Sequence, residues 1–435
     1  MRSAPGQRTR RRLQAHGGTG EHGAGFAVFL HVARFGLAVS AVMLAVAVLL
    51  RSASFLIVGL AAVLYTVLLS GMVTSLYGRV VVTSSLRHSV ATVRQPNMIT
   101  WTALHYTALS PVLLTIEPLL PPYVIQRHHR ASDGSVTVFF DATRKGIYRV
   151  GGARVILQDP LRVFRIHYAV EPPLSLTVVP RPVSLASMHI ALTSPIDGQR
   201  VRYAPNVDTS QLTGTHPYDN EPMNRIHWKM TAHTGDIVVK DFTPSASQTA
   251  VVVVDYSVGG ETGFAPETLD DTLSTAAASI LHYIHDHKLP FALATIGSRI
   301  DWTGPGHDST HLLECLTALA SAHVVRSDDG SGVQDWLDRN LRTIPARSQL
   351  IILAHEMSEA GVVQLLRQHE HFVRIMIILF PEGTFRLPGE HRAPYYLRDT
   401  DRLLRLRSLQ RVLGQNGIEL TIVGLNDALS ALSTA

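Results

Sequence analysis

The sequence predicts a multidomain chain with an N-terminal transmembrane helical hairpin, a β-sandwich-like middle and a C-terminal α/β doubly wound domain. Three observations carry this. Residues Ala53 to Tyr77 contain no charged side chain. From about Val80 to Gln248, short β-branched runs recur between Pro, Gly and Asp clusters with no long 3.6-residue stripe. From Thr249 onward, short apolar runs alternate with helical patterns, the signature of βαβ units. A chain of 435 residues, 46% hydrophobic, has material for two or three domains and sizeable cores. The boundaries implied are a basic tail over 1–25, two membrane helices over 26–78, a β-rich domain over 79–248 and the α/β domain over 249–435.

Charge narrows the partners. The formal net charge is +5, modest for this length, and Arg2, Arg8, Arg10, Arg11 and Arg12 crowd the N-terminus. Nucleic acid is not expected as a partner. Basic residues beside an apolar segment read instead as a retention signal at the lipid bilayer, because cytoplasmic flanks carry the Lys/Arg excess. Cys315 is the single cysteine, so no internal disulfide forms.

The stretch from Ala53 to Tyr77 exceeds the ~20 residues a helix needs to cross a bilayer core. Upstream, Phe35 to Leu50 is apolar and extends back through Phe26 if Arg34 snorkels to the interface. The link Arg51-Ser52 leaves room for a tight turn only, so the two helices form an antiparallel hairpin. A cleaved signal peptide is the competing reading, since a basic segment precedes an apolar one; the apolar segment is long, starts well in from Met1, and is followed at once by another span.

In the middle region, Val80–Thr83, Ser135–Phe140 and Leu174–Val179 have strand length and composition. Gly146 suits a tight turn, Asp159-Pro160 begins one, and Tyr148 reads as a core aromatic. Toward the end of the region stands Arg225-Ile-His-Trp-Lys229, continuing to Gly235-Asp-Ile-Val-Val-Lys-Asp-Phe242. Arg225, His227 and Lys229 with Trp228 as anchor form one reading, a partner-docking or anion-binding face. In the other, favoured reading Ile226 and Trp228 share one face of an extended segment and plug the junction with the next domain.

The C-terminal region offers strands at Ala250–Asp255, Phe291–Ile296, Gln349–Leu353, Val373–Leu379 and Glu419–Val423. Helices are expected near Glu267–His285, His311–Ser321, Gly332–Leu341, Ser358–Gln368 and Asp401–Leu413. The run Val251–Val254 ending at Asp255-Tyr-Ser257 reads as a buried parallel strand delivering a carboxylate and a hydroxyl to its C-terminal edge, where open α/β sheets bind ligands.

Taken with Arg144-Lys-Gly146-Ile-Tyr148, Asp159-Pro160, Phe164 and Val179-Pro-Arg181, these segments resemble the bacterial family called domain of unknown function 58 (DUF58). The resemblance implies a membrane hairpin, a β-rich segment and a von Willebrand A-like domain. This chain departs from the family pattern at His233, where an Arg is usual, and at Asn220-Glu221, where a Gly-Asp pair is usual. The von Willebrand A fold carries a metal-ion-dependent adhesion site, Asp-x-Ser-x-Ser, completed by a Thr and an Asp from later loops. Mg²⁺ needs near-octahedral oxygen coordination, which is why hydroxyls and carboxylates recur there. Here Asp255 and Ser257 are present, Gly259 stands at the second serine position, Ala354-His355-Glu356 stands where an Asp is expected, and Thr303 or Ser309 is available as the middle hydroxyl. A degenerate metal site at Asp255 and Ser257 is one expectation; an Asp255 that caps a helix or holds the following loop is the other.

Of the 22 histidines, His128-His129, His285-Asp-His287, His355-Glu356 and His369-Glu-His371 cluster, but none has a ligand spacing with a known mechanism. His355-Glu356-Met-Ser-Glu359 lacks the second histidine of a helix-borne zinc motif, and Walker A, Gly-x-Ser-x-Gly and dinucleotide motifs are absent from the sequence. The expected protein is therefore not an enzyme but a scaffold or interaction protein of the inner membrane. Members of the resembled family are associated with MoxR-type AAA+ ATPases, which implies such a partner in assembly or remodelling of protein complexes. The alternative is a metal-dependent hydrolase using Asp255, Glu356 and nearby histidines.

Arginines lie before the first span and at Arg79, Arg87 and Arg94 after the second, against Arg51 alone between them, so the N-terminus and the soluble domains are expected in the cytoplasm. A reporter active only in the periplasm, fused after Ala435, should be silent; strong activity would reverse the orientation.

Overall fold

The computed structural model describes residues 35–46, 48–77, 79–106, 111–132, 134–185, 212–218, 226–242, 249–259, 266–326, 332–345, 347–381, 383–386, 389, 391, 400–425 and 427–429. The basic tail, the start of the first span, Asn220-Glu221 and Arg225 lie outside these residues. Internal contacts divide the chain into two compact units, Met1–Arg181 and Pro182–Ala435. The segment around Trp228 thus groups with the second unit, whereas the sequence reading placed it with the β-rich domain.

The first unit opens with helices α1 (Phe35–Val46) and α2 (Ala53–Leu76), the latter 24 residues long. Arg51, at φ 49°, turns the chain between them. They lie side by side: a Cβ on Gly59 would stand 3.0 Å from Leu44 Cδ2, and one on Gly36 3.4 Å from the Thr66 side chain. Gly59, Thr66 and Val73, one heptad apart, are the buried residues of α2. Ser40 and Thr66 return their hydroxyls to Gly36 O and Ala62 O, which pairs these two buried polar groups within their own helices. The rest of α2 exposes Phe55, Ile57, Val58, Leu60, Leu64, Val67 and Leu68.

Among the described residues ten strands follow: β1 (Val81–Leu86), β2 (Val90–Thr92), β3 (Asn97–Leu104), β4 (Leu113–Leu119), β5 (Val124–Ser132), β6 (Ser135–Ala142), β7 (Gly146–Val150), β8 (Gly152–Gln158), β9 (Arg165–Val170) and β10 (Leu174–Val179). They form three small sheets, β1-β3-β6-β5, β4-β8-β9 and β2-β10-β7, rather than the two faces of a simple sandwich. Alternation supplies the core, with Ile99, Trp101, Val138, Phe140, Val155, Leu157, Ile166, Leu176 and Val178 buried together with Val73 of α2. The Arg-Lys-Gly-Ile-Tyr segment is a self-tied turn. Gly146 has φ +151°, a Cβ there would meet the Tyr148 ring at 3.1 Å, and the Tyr148 hydroxyl donates to Arg144 O and Lys145 O, both at 3.1 Å.

The second unit begins with β11 (Leu212–Pro217), α3 (Trp228–Thr234) and β12 (Val238–Phe242), the two strands antiparallel. Next come β13 (Ala250–Asp255), β14 (Ser257–Val258), α4 (Pro266–Asp286), β15 (Phe291–Ile296), β16 (Ile300–Gly306), α5 (Ser309–Ser321), β17 (Val325–Arg326), α6 (Gly332–Asn340), β18 (Gln349–Ala354), α7 (Glu359–Gln368), β19 (Arg374–Leu379), α8 (Thr400–Gln415) and β20 (Ile418–Ile422). The main sheet runs β16-β15-β13-β18-β19-β20, parallel except for β16. Counted within that sheet the order is 3-2-1-4-5-6, that of a doubly wound fold. All six residues of β13, β15 and β18 are buried, as expected for strands covered on both faces. Val251 and Val253 share a core with Trp336 of α6, Leu365 of α7 and Leu413 of α8. Helix α4 is absent from that cluster and buries Leu273, Ala277, Ile280 and Ile284, which places it on the opposite face.

Trp336 is fully buried, its ring 5.6 Å from that of Trp302. Trp336→Ala should cost the second unit ~3–5 kcal/mol. Urea unfolding of the full chain in mild detergent, followed by circular dichroism, measures it; a loss under ~1 kcal/mol would contradict this packing.

Candidate functional site

In a doubly wound sheet, ligands bind where the strand order reverses, outside the carboxyl ends of the strands. Here that point is the end of β13, flanked by β15 and β18. Four fully buried valines, each contributing ~1.5–3 kcal/mol by leaving water, carry Asp255 to this edge, where it is 4% exposed. Its Oδ1 accepts the Ser257 amide at 2.9 Å and the Ser257 hydroxyl. Helix α6 closes over the pair. A Cβ on Gly332 would lie 2.7 Å from Ser257 Oγ and 3.1 Å from Asp255 Oδ1, so only glycine lets the helix come this close, and the next amide, Val333, also donates to Asp255. Asp255 therefore holds the loop that follows and meets the start of a helix.

Other loops converge on the same edge. Gly259 donates its amide to Glu356 Oε1 at 3.2 Å, tying the loop after β13 to that after β18. His355 is turned inward and donates Nδ1–H to Phe380 O at 2.8 Å. Beneath, the Tyr256 hydroxyl meets Ser274 Oγ at 2.7 Å, while Ser274 donates to Asp270 O. His323 Nδ1 lies 3.2 Å from Asp270 Oδ2. The Asp270–His323 contact joins residues far apart in sequence, and nothing in the local pattern signals it.

The residues do not make an octahedral cage for Mg²⁺. Ser257 spends its hydroxyl on Asp255, Gly259 offers an amide in place of a side-chain oxygen, and the Gly332 backbone fills the space beside them. Neither expected middle hydroxyl reaches the edge. Thr303 pairs with Leu293 within the antiparallel strand β16, and Ser309 follows Gly306, which pairs with Phe291 at the opposite end of the sheet. Among the described residues no three of His, Cys, Asp and Glu converge. The clustered histidines have local tasks. His287 donates to Tyr283 O at 2.7 Å, His369 donates to Leu366 O at 2.8 Å, and His129 lies 3.2 Å from the Gln126 amide on the exposed strand β5. A cleft of about 430 Å³ between β4 and the β5–β6 pair, lined by Ile116, Gln126 and His129 among others, belongs to the first unit.

The Arg-Ile-His-Trp-Lys segment departs from the extended reading. Ile226 is buried and bridges Val239, but the chain turns helical at Trp228, so Trp228 leaves the face of Ile226. Trp228 is 61% exposed, beside exposed Lys229 and Met230, and is not a buried plug among the described residues. His227 is the N-cap of α3, its Nδ1 accepting the Met230 amide at 3.2 Å.

Residues 220–390 match the family described as "Protein of unknown function DUF58". Among solved structures, the chain is similar to an aerotolerance-related membrane protein from Bacteroides fragilis NCTC 9343 with multiple mutations to serines. That match has 14% identity and a TM-score of 0.29, covering 43% of this chain and 95% of that one. An uncharacterized membrane spanning protein from Vibrio fischeri is similar at 15% identity and a TM-score of 0.15, covering 40% of this chain and 91% of that one. No curated protein matches.

Burial pushes the Asp255 carboxyl up to about 6, against the opposing pull of its bonds to Ser257 and Val333. The native state then holds the proton more tightly than the unfolded chain, so stability falls as pH rises from about 4 to about 6, by an amount on the order of 3 kcal/mol. Asp255→Asn, which keeps the accepting oxygen, should remove that dependence and be the more stable protein at pH 7. Unfolding curves across this pH range test it, and a parent and variant with parallel profiles would contradict it. Ile226→Ala should cost ~2–5 kcal/mol and Trp228→Ala less than ~0.5 kcal/mol in the same measurement.

Proposed function

We propose that this chain is a membrane-anchored scaffold or interaction protein. In this reading α1 and α2 cross the inner membrane as a hairpin, the soluble domains face the cytoplasm, and the second unit, read as a von Willebrand A-like domain, docks a partner at the strand edge bearing Asp255 and Ser257. By family resemblance the partner is a MoxR-type AAA+ ATPase engaged in assembling or remodelling protein complexes.

The observation that carries the proposal is the construction of that edge. Asp255 is buried and spent on its own loop, so it acts as an organiser. What faces outward is the half-buried backbone and side chains of Ser257, Gly259, Glu356 and Met357, drawn from two loops and tied by the Gly259–Glu356 bond. A half-buried surface of linked loops suits recognition of a protein. The length and exposed apolar surface of α2 support the anchor.

The test is co-purification of the full chain with its ATPase in mild detergent. Retention should be unchanged by a chelator. Asp255→Ala should weaken it ~10-fold or more, equivalent to ~1.4 kcal/mol, while Asp255→Asn, which still accepts from Ser257, should retain it. Chelator-sensitive retention would instead assign the edge a working metal, and equal retention by all three chains would remove it from the interface.

A further inference from the structure

The helix pair of the first unit is embraced by the β-rich domain partway along its length. The Tyr65 hydroxyl donates to Asp159 Oδ2, and the Tyr65 ring lies 6.3 Å from that of Phe164. From Tyr65 onward α2 runs beside the strands, with Val73 in their core and Tyr77 edge-on to Tyr168 at 5.7 Å. Only the half of the 24-residue helix before Tyr65 stands clear of them. That arm is ~18 Å long at the α-helical rise, well short of a hydrocarbon core of ~30 Å. The exposed apolar side of α2 does not stop there, however. Val67, Leu68 and Met72 are 54%, 53% and 42% exposed, and Ala53 to Met72 covers ~30 Å. A bilayer matched to this surface reaches past Tyr65 by ~10 Å, and so past the turn Asp159–Phe164 that lies against it.

That turn is built for such surroundings. Asp159 is fully buried; its Oδ1 accepts the Phe164 amide at 2.6 Å and its Oδ2 the Leu161 amide at 3.1 Å. The Asp159 amide donates to Phe164 O and the Arg162 amide to Asp159 O, and Pro160 has no amide hydrogen. Four of the turn's amides, those of Asp159, Leu161, Arg162 and Phe164, are thus paired within the turn itself, which lowers the cost of leaving water. At its tip Leu161 is 68% and Val163 49% exposed, with Leu113 of the adjoining strand β4 at 43%. Exposed Arg162 and Arg165 stand among them, long enough to reach anionic headgroups from a shallow position.

We propose that the turn Asp159–Phe164 beds in the membrane beside α2, within the last ~10 Å of the hydrocarbon core, with Leu161 and Val163 against lipid, so that helices and turn together match the membrane. This rests on the membrane anchor proposed above. The test uses the full chain in nanodiscs of phosphatidylethanolamine and phosphatidylglycerol, with nitroxide labels at Leu56→Cys on the arm, Leu161→Cys on the turn and Leu119→Cys at the far end of β4. Native Cys315 is fully buried and its thiol is pushed up to about 12 by burial, so it stays unlabelled. Collision with oxygen relative to a water-soluble nickel chelate should be several-fold higher at Leu56→Cys and Leu161→Cys than at Leu119→Cys. A lipid-exposed Leu56→Cys with an aqueous Leu161→Cys overturns the seating of the turn and leaves the anchor standing. An aqueous Leu56→Cys overturns the anchor itself, and a lipid-exposed Leu119→Cys overturns the depth inferred for the domain.

Discussion

A carboxylate driven into an apolar interior governs the second unit. Val251–Val254 favour burial on both faces of the sheet, and the strand they form ends with Asp255 still inside. Desolvation opposes the charge, and the neighbouring chain answers with donors: the Ser257 amide and hydroxyl, and the Val333 amide at the start of α6. Each answer fixes a piece of backbone. Ser257 must turn back toward the strand, Gly332 must lack a side chain, and α6 must begin over the strand end. The loop after β13 is thereby positioned to reach Glu356 through Gly259. Removing the carboxylate's oxygens removes the reason for this arrangement, whereas removing only its charge does not.

In the first unit another buried carboxylate, Asp159, does comparable work. It collects amides from its own turn and the hydroxyl of Tyr65, which fixes where along α2 the β-rich domain begins. In both units the polar group sets geometry, and the apolar surface around it supplies the stability. The small residues Gly36 and Gly59 let α1 and α2 approach closely.

Much of this was legible in the sequence because periodicity and composition respond directly to burial. The run Ala250–Asp255 is uniformly apolar until its final carboxylate, and the strands at Phe291–Ile296 and Leu174–Val179 have the predicted bounds. Strand β16 was not legible: Ile300–Gly306 is polar, interrupted by Pro305, and lies at the sheet edge where one face stays wet. Nor was the helix at Trp228. Its short sequence satisfies alternation as well as a helical turn, and the His227 cap and φ +82° at Gly235 decide for the helix. At the site, Asp255 and Ser257 were found by pattern. Gly332, which covers them, and the Asp270–His323 contact depend on packing between distant segments, which no local pattern encodes.

The proposed docking edge is the pair of linked loops around Asp255. Hydrogen–deuterium exchange of the full chain, alone and with the proposed ATPase partner, is the decisive measurement. Amides of residues 256–259 and 355–358 should gain protection in the complex. Protection confined to other surfaces, with these two segments unchanged, would contradict it.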